Sequence, residues 1–173
     1  MAEAQPTSIT PIERLPALLR LWRWRYGLSS ALPGLAGVAL ALMRRASSVN
    51  ADALQWTARA SLPAAVLIAL LGLALGWWYA GRRFAHYRAE HHEGEGVVLY
   101  AGVWWRSEVW VPTARLQHLD VQQGPLDRRW GMASLSLHTA GSHDHHTRIL
   151  GLPLAQAHAL RDHLMPRQAV AHE

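Results

Sequence analysis

Two stretches without a charged side chain, residues 26–43 and 60–81, constrain this chain more than any other feature. They run for 18 and 22 residues. As helices rising 1.5 Å per residue they extend about 27 Å and about 33 Å, against a hydrocarbon core about 30 Å thick. The second is dense in Leu67, Ile68, Leu70, Leu71, Leu73 and Leu75; the first mixes Leu with Ser, Gly and Ala. The pattern predicts two transmembrane helices, a membrane α-helical hairpin. Neither run holds an Asp, Glu, Arg or His, which argues against a proton relay or ion pathway.

Charge fixes the expected orientation. All 17 basic residues are Arg and none is Lys. Seven Arg lie on the terminal sides of the runs (Arg14, Arg20, Arg23, Arg25, Arg82, Arg83, Arg88); three lie between them (Arg44, Arg45, Arg59). Arg resists translocation, so both termini are expected in the cytoplasm. The long basic lead and Arg44-Arg45 argue against a cleaved leader. Trp22 and Trp24, with Trp77 and Trp78, are expected at the inner membrane interface, where an indole is half in lipid and half wet. Pro33 and Pro63 are expected near the start of each span, where a missing N–H costs least.

The net charge of +5 suggests nucleic acid, but its distribution does not. Residues 1–83 carry +6 and residues 84–173 carry −1, while all 11 His fall in the second part. The positive charge therefore belongs with the membrane segment, and no nucleic-acid partner is expected. No Cys is present, which excludes a disulfide framework, a thiolate nucleophile and Cys-ligated metal.

The organisation read from these patterns is an N-terminal cytoplasmic, interfacial segment (1–25), a first span (26–43), a short extracytoplasmic loop (44–59) and a second span (60–81). A small cytoplasmic domain (84–166) and a tail (167–173) follow. Within the domain, Val97-Val98-Leu99-Tyr100 is a short apolar run. Val103, Trp105, Ser107, Val109 and Val111 alternate with Trp104, Arg106, Glu108 and Trp110, predicting one strand over 103–111. Further strands are predicted over 116–123, around Leu135 and Leu137, and over 147–150. Leu154, Ala157, Leu160 and Leu164 announce an amphipathic helix stopping at Pro166.

The stretch from His86 to Leu164 resembles the bacterial membrane-flanked pleckstrin-homology-like (PH-like) domain family. The residues that carry the resemblance are Tyr87-Arg88 after a span, Gly96 to Gly102, Val111-Pro112 and Arg115-Leu116-Gln117-His118. Gln123-Gly124-Pro125-Leu126-Asp127-Arg128 with Trp130-Gly131-Met132-Ala133 follows, then Leu137-His138-Thr139-Ala140-Gly141, Gly151-Leu152 and Ala157 to Leu164. The resemblance implies an α+β domain, a seven-stranded β-barrel or sandwich capped by a C-terminal helix, held in the cytoplasm close to a bacterial inner membrane that the chain crosses twice. It implies no enzyme activity and no cofactor. The implied role is a scaffold or assembly subunit, in a homo-oligomer or with a larger membrane protein carrying several PH-like domains, in envelope stress or antimicrobial-peptide tolerance. A lipid-head-group or peptide-binding sensor is the alternative. The stretch matching the phosphoinositide site of eukaryotic relatives, His86 to Glu93, has one Arg against two Glu, so that ligand is not expected.

Several residue groups invite function. Arg128, Arg129 and Trp130 follow a Gly124-Pro125 turn; Arg and Trp are frequent binding anchors, but a core Trp beside two solvated Arg fits equally. Trp104 and Trp110 are either a second wall of the domain or exposed partner anchors. Gly72 and Gly76 form a Gly-x-x-x-Gly pair that would pack the second span on the first, or on another subunit. His143, His145 and His146 are candidate metal ligands, yet their spacing matches no named zinc pattern and a solvated hairpin tip is the plainer reading. No Gly-x-Ser-x-Gly elbow frames any Ser, and no phosphate-binding glycine loop is present.

Overall fold

The computed structural model describes residues 8–46, 52–140 and 146–165, without the side chains of 52–59. The chain divides into two compact units, Leu19–Arg82 and the remainder, Met1–Leu18 with Arg83–Glu173.

Two helices supply the first unit, α1 (Pro16–Ala46) and α2 (Asp52–His86). Both are long and apolar enough to cross a membrane. Beyond the first turns of α1, where Leu18 and Trp22 are buried, their buried side chains are small: Ala31, Ala41, Ala65 and Ala80. Their large ones turn outward: Leu67, Ile68, Leu70, Leu71 and Leu75 are all more than half exposed. A helix pair stabilised in water would do the reverse, because each Å² of apolar surface removed from water is worth about 25 cal/mol. Close approach through small residues is how helices associate where lipid provides no such drive.

Gly72 and Gly76 make that approach possible. A Cβ at Gly72 would overlap the Ser30 carbonyl oxygen, and one at Gly76 the Tyr26 carbonyl oxygen. The Gly-x-x-x-Gly pair thus faces α1. The Ser30 hydroxyl lies 2.6 Å from the Tyr26 carbonyl oxygen and 2.7 Å from that of Gly72, so its proton is shared between its own helix and the neighbour.

Both helices outrun the charge-free stretches. α1 starts at Pro16 and α2 at Asp52, so residues 52–59 of the expected loop are helical. Pro33 and Pro63 therefore lie inside helices rather than near their starts. The absence of charge marks only the lipid-thick part of a helix; Arg is a good helix former and the helices continue through it.

The second unit holds seven strands in two antiparallel sheets. The first runs β1 (Ile9–Ile12), β2 (Arg88–His92), β3 (Gly96–Ala101) and β4 (Ser107–Pro112); the second runs β5 (Leu116–Gln122), β6 (Met132–Thr139) and β7 (His146–Pro153). No strand pairing among the described residues joins the sheets into a closed barrel, which corrects the barrel expectation. A 3-10 turn (Thr113–Arg115) links the sheets, α3 (Pro125–Arg129) precedes β6, and α4 (Leu154–Leu164) ends the domain.

The first strand comes from an unexpected place. Residues 9–12, read from sequence as part of an interfacial segment, pair with β2, Ile12 opposite Ala89 and Ile9 opposite His92. The helical hairpin is therefore an insertion between the first two strands of one sheet. Pro11 hid the strand, since Pro is admitted only at sheet edges, and β1 is an edge. The residues leading from β1 are fastened to this unit. The Leu15 N–H donates to the Gly151 carbonyl at 2.8 Å, and Arg14 Nη1 donates to the Phe84 carbonyl at 2.6 Å.

The core lies between the sheets and α4. Val97, Val98, Met132, Leu135, Leu137, Ile149 and Leu152 are its fully buried large side chains, and α4 adds Ala157, Leu160 and Leu164. β6 is buried on both faces from Met132 to Leu137. Ser134 sits there because Arg148 satisfies it, with Nε and Nη2 donating to its hydroxyl oxygen at 3.1 and 2.7 Å. Tyr87 is similarly held: its hydroxyl oxygen accepts the Leu150 N–H at 2.6 Å, and burial pushes its pKa up to about 12.

Candidate functional site

The expected strand over 103–111 is shorter than its alternation suggests. Only Ser107 to Pro112 is extended; Gly102 to Arg106 form the tip of the β3–β4 hairpin. Gly102 makes that tip. Its φ is +108°, and a Cβ there would run into the Trp105 carbonyl oxygen. Trp105 is 87% exposed and Trp104 is 70% exposed. Both belong to the tip rather than to a wall of the domain.

Sheet register places the tip. Arg88 faces Tyr100 across β2 and β3, and Ala101 faces Ser107 across β3 and β4. The tip therefore projects from the sheet end at which β2 follows α2. At that end a cavity of about 390 Å³ is lined by Ala85, His86, Arg88, Tyr100, Arg106 and Glu108, among others. The Arg88 guanidinium lies over the Tyr100 ring, 4.2 Å from its centroid, and its Nε is 3.4 Å from Glu90 Oε1. The hairpin thus brings Arg106 to Arg88, a pairing that the sequence alone did not offer. Two guanidiniums and an imidazole against Glu108 make the lining suited to anionic groups.

The other candidates fall elsewhere. Trp110 is on β4, 45% exposed, with its ring 5.1 Å from that of His92. Arg128 and Arg129 are exposed on α3, with Leu126 half exposed beside them. Trp130 is half-buried after that helix. The α3 turn is closed by Asp127, whose carboxylate accepts the Gly124 N–H at 2.9 Å. Trp22 is buried and Trp24 exposed, on α1. On α2, Trp77 lies under the Arg23 guanidinium at 5.3 Å and Trp78 under Arg82 at 5.7 Å.

His143 and His145 fall outside the described residues. His146 begins β7 and stacks on His138 at 5.8 Å. His138 lies beside His118, and His118 Nε2 is 2.9 Å from Asp120 Oδ1. This row of imidazoles crosses β5, β6 and β7, because His118 pairs with His138 and His138 with His146. Among the described residues, no group of three His, Asp or Glu is arranged to hold a metal ion.

A second cavity, about 340 Å³, lies where β1 and β2 meet α4, between Ile12, His91, Glu93, Leu160 and His163 among others. The His91 and His163 rings meet edge to face at 5.0 Å. Burial, then the neighbouring His163, holds His91 below its ordinary pKa.

Comparison with known proteins agrees with this architecture. A family model described as a bacterial PH domain matches residues 15–168. The UPF0699 transmembrane protein YdbS of Bacillus subtilis (strain 168) is 35% identical over 77 residues, 44% of this chain and 45% of that protein. The chain thus spans less than half the length of this curated relative. No solved structure gives a significant match.

Proposed function

The chain belongs to the bacterial PH domain family, and we propose that it is a membrane-anchored, non-catalytic assembly subunit. In this reading α1 and α2 cross the bacterial inner membrane as a hairpin, with both termini in the cytoplasm. The PH-like domain stays at the membrane surface and joins a second copy, or a larger membrane protein carrying several such domains. Confinement to a surface raises the effective concentration of such a domain for partners in the same membrane.

The pairing of β1 with β2 supports the two-pass arrangement. It brings the chain before α1 and the chain after α2 into one sheet, which favours both lying on the same side. The Arg distribution supports that side being the cytoplasm. The observation that carries assembly is β4. It pairs with β3 on one side and with no strand among the described residues on the other, and it exposes Val109 and Trp110. An open edge with apolar side chains is a template for strand addition.

Mild extraction of the full chain followed by mass determination tests this reading. We expect a species larger than one chain, which Val109→Lys with Trp110→Ser reduces to the single-chain mass. A single-chain mass for the unaltered protein in several mild detergents would overturn it.

A further inference from the structure

We infer that the β3–β4 hairpin tip is a second membrane contact: Trp104 and Trp105 insert into the headgroup layer, and Arg106 with Arg88 meets its anionic lipids. This rests on α2 crossing the membrane, but not on assembly through β4.

Register and helix length carry the inference. The tip leaves the sheet at the end where β2 begins, because Arg88 faces Tyr100 and Ala101 faces Ser107. The chain before β2 is helical to His86, five residues past Gly81 where the uncharged run ends. Five helical residues rise about 7.5 Å. The headgroup layer on each side of the hydrocarbon is about 5–8 Å deep. β2 begins two residues after α2 ends, so connectivity keeps its start within a few residues of the end of the uncharged run. The opposite end, the turn between β2 and β3, is about 20 Å away for a six-residue strand.

The side chains at the near end match that layer. Trp104 and Trp105 are the two most exposed of the large hydrophobic side chains described. An indole offers an apolar ring to the acyl boundary and an N–H to water or phosphate. Arg106 follows directly, and the adjacent cavity adds Arg88 and His86 against Glu108. A protein partner would meet the same Trp pair, but nothing in that alternative explains why both lie at the sheet end where β2 follows α2. The chain before α1 and the chain after α2 both join this sheet; a contact through the tip would add a further point and fix which face the domain offers to partners.

The chain has no Cys, so one introduced Cys reports one place. Val103→Cys and, at the far end of the same sheet, Glu95→Cys would each carry an environment-sensitive fluorophore. The full chain would be held in lipid nanodiscs of phosphatidylcholine and phosphatidylglycerol containing a nitroxide-labelled lipid. We expect position 103 to be quenched several-fold more than position 95. Trp104→Ser with Trp105→Ser should abolish the difference, and Arg106→Glu should reduce it only where phosphatidylglycerol is present. Equal quenching at both positions, or a difference indifferent to the Trp pair, would overturn the inference. So would position 103 being shielded from an aqueous quencher yet not quenched by the lipid nitroxide, which would assign the tip to a protein partner. Loss of assembly without loss of quenching would count against the β4 reading alone. A chain that stays in solution without detergent or nanodisc would remove the span on which both rest.

Discussion

Single side chains divide here by what surrounds them. Gly72 has no room for a Cβ, so Gly72→Val should weaken the α1–α2 pair by about 1–3 kcal/mol, as overpacking does. Ser30→Ala should cost less, about 0.6 kcal/mol, because helices in lipid find other hydrogen bonds. Denaturation of the detergent-solubilised chain followed by helical circular dichroism would rank the two. In the other unit Leu135 is fully buried, so Leu135→Ala should cost about 2–5 kcal/mol. Trp105→Ser should change the melting free energy by less than about 0.5 kcal/mol, since its side chain is open to solvent. A large loss from Trp105→Ser would mean that the tip is part of the core.

Elements were legible in the sequence where one physical rule dominated. The absence of charge located both long helices, and the spacing of Ala157, Leu160 and Leu164 located α4. The alternation from Val103 to Val111 misled because exposed Trp reads as core in any hydrophobicity pattern. Gly102 was the signal against it: a residue at positive φ ends β3 and turns the next four residues into a loop. β1 was not legible, since four residues containing a Pro have no period to read, and their partner strand lies beyond both helices. The cavity at the tip was half legible: Arg88 was noted with its Glu neighbours, but only sheet register adds Arg106. At the junction of α4 and β2 the chemistry is that of imidazoles. His91 is held below the ordinary value of 6.5 by burial and by His163, with Glu93 opposing and His92 adding to the effect. Its neutral form is therefore the favoured one in the fold. The associated stability is complete above pH 6.5 and is lost as pH falls through the lower folded value. Thermal midpoints should decline below pH 6.5, and His91→Gln should flatten that decline; an identical slope in the variant would refute the assignment.

For the whole molecule, the decisive feature is that one sheet is built from both sides of the helical hairpin. Removal of residues 1–12 should leave β2 as an edge strand and lower the melting midpoint of the domain by several degrees, since 1 kcal/mol shifts a domain of this size by about 4–8 °C. An unchanged midpoint would show that β1 adds nothing to the sheet. The same feature sets an order of events during synthesis. Ile12 and its partner Ala89 are separated by the whole helical pair. At about 5–20 residues per second, β1 leaves the ribosome roughly 4–15 s before the strand it needs. With both helices crossing as proposed, it is completed only when the second has returned the chain to the starting side. In the proposed two-pass arrangement the finished sheet is therefore a record of correct insertion: a chain that crossed once would leave β1 and β2 on opposite sides, each with an unmatched edge.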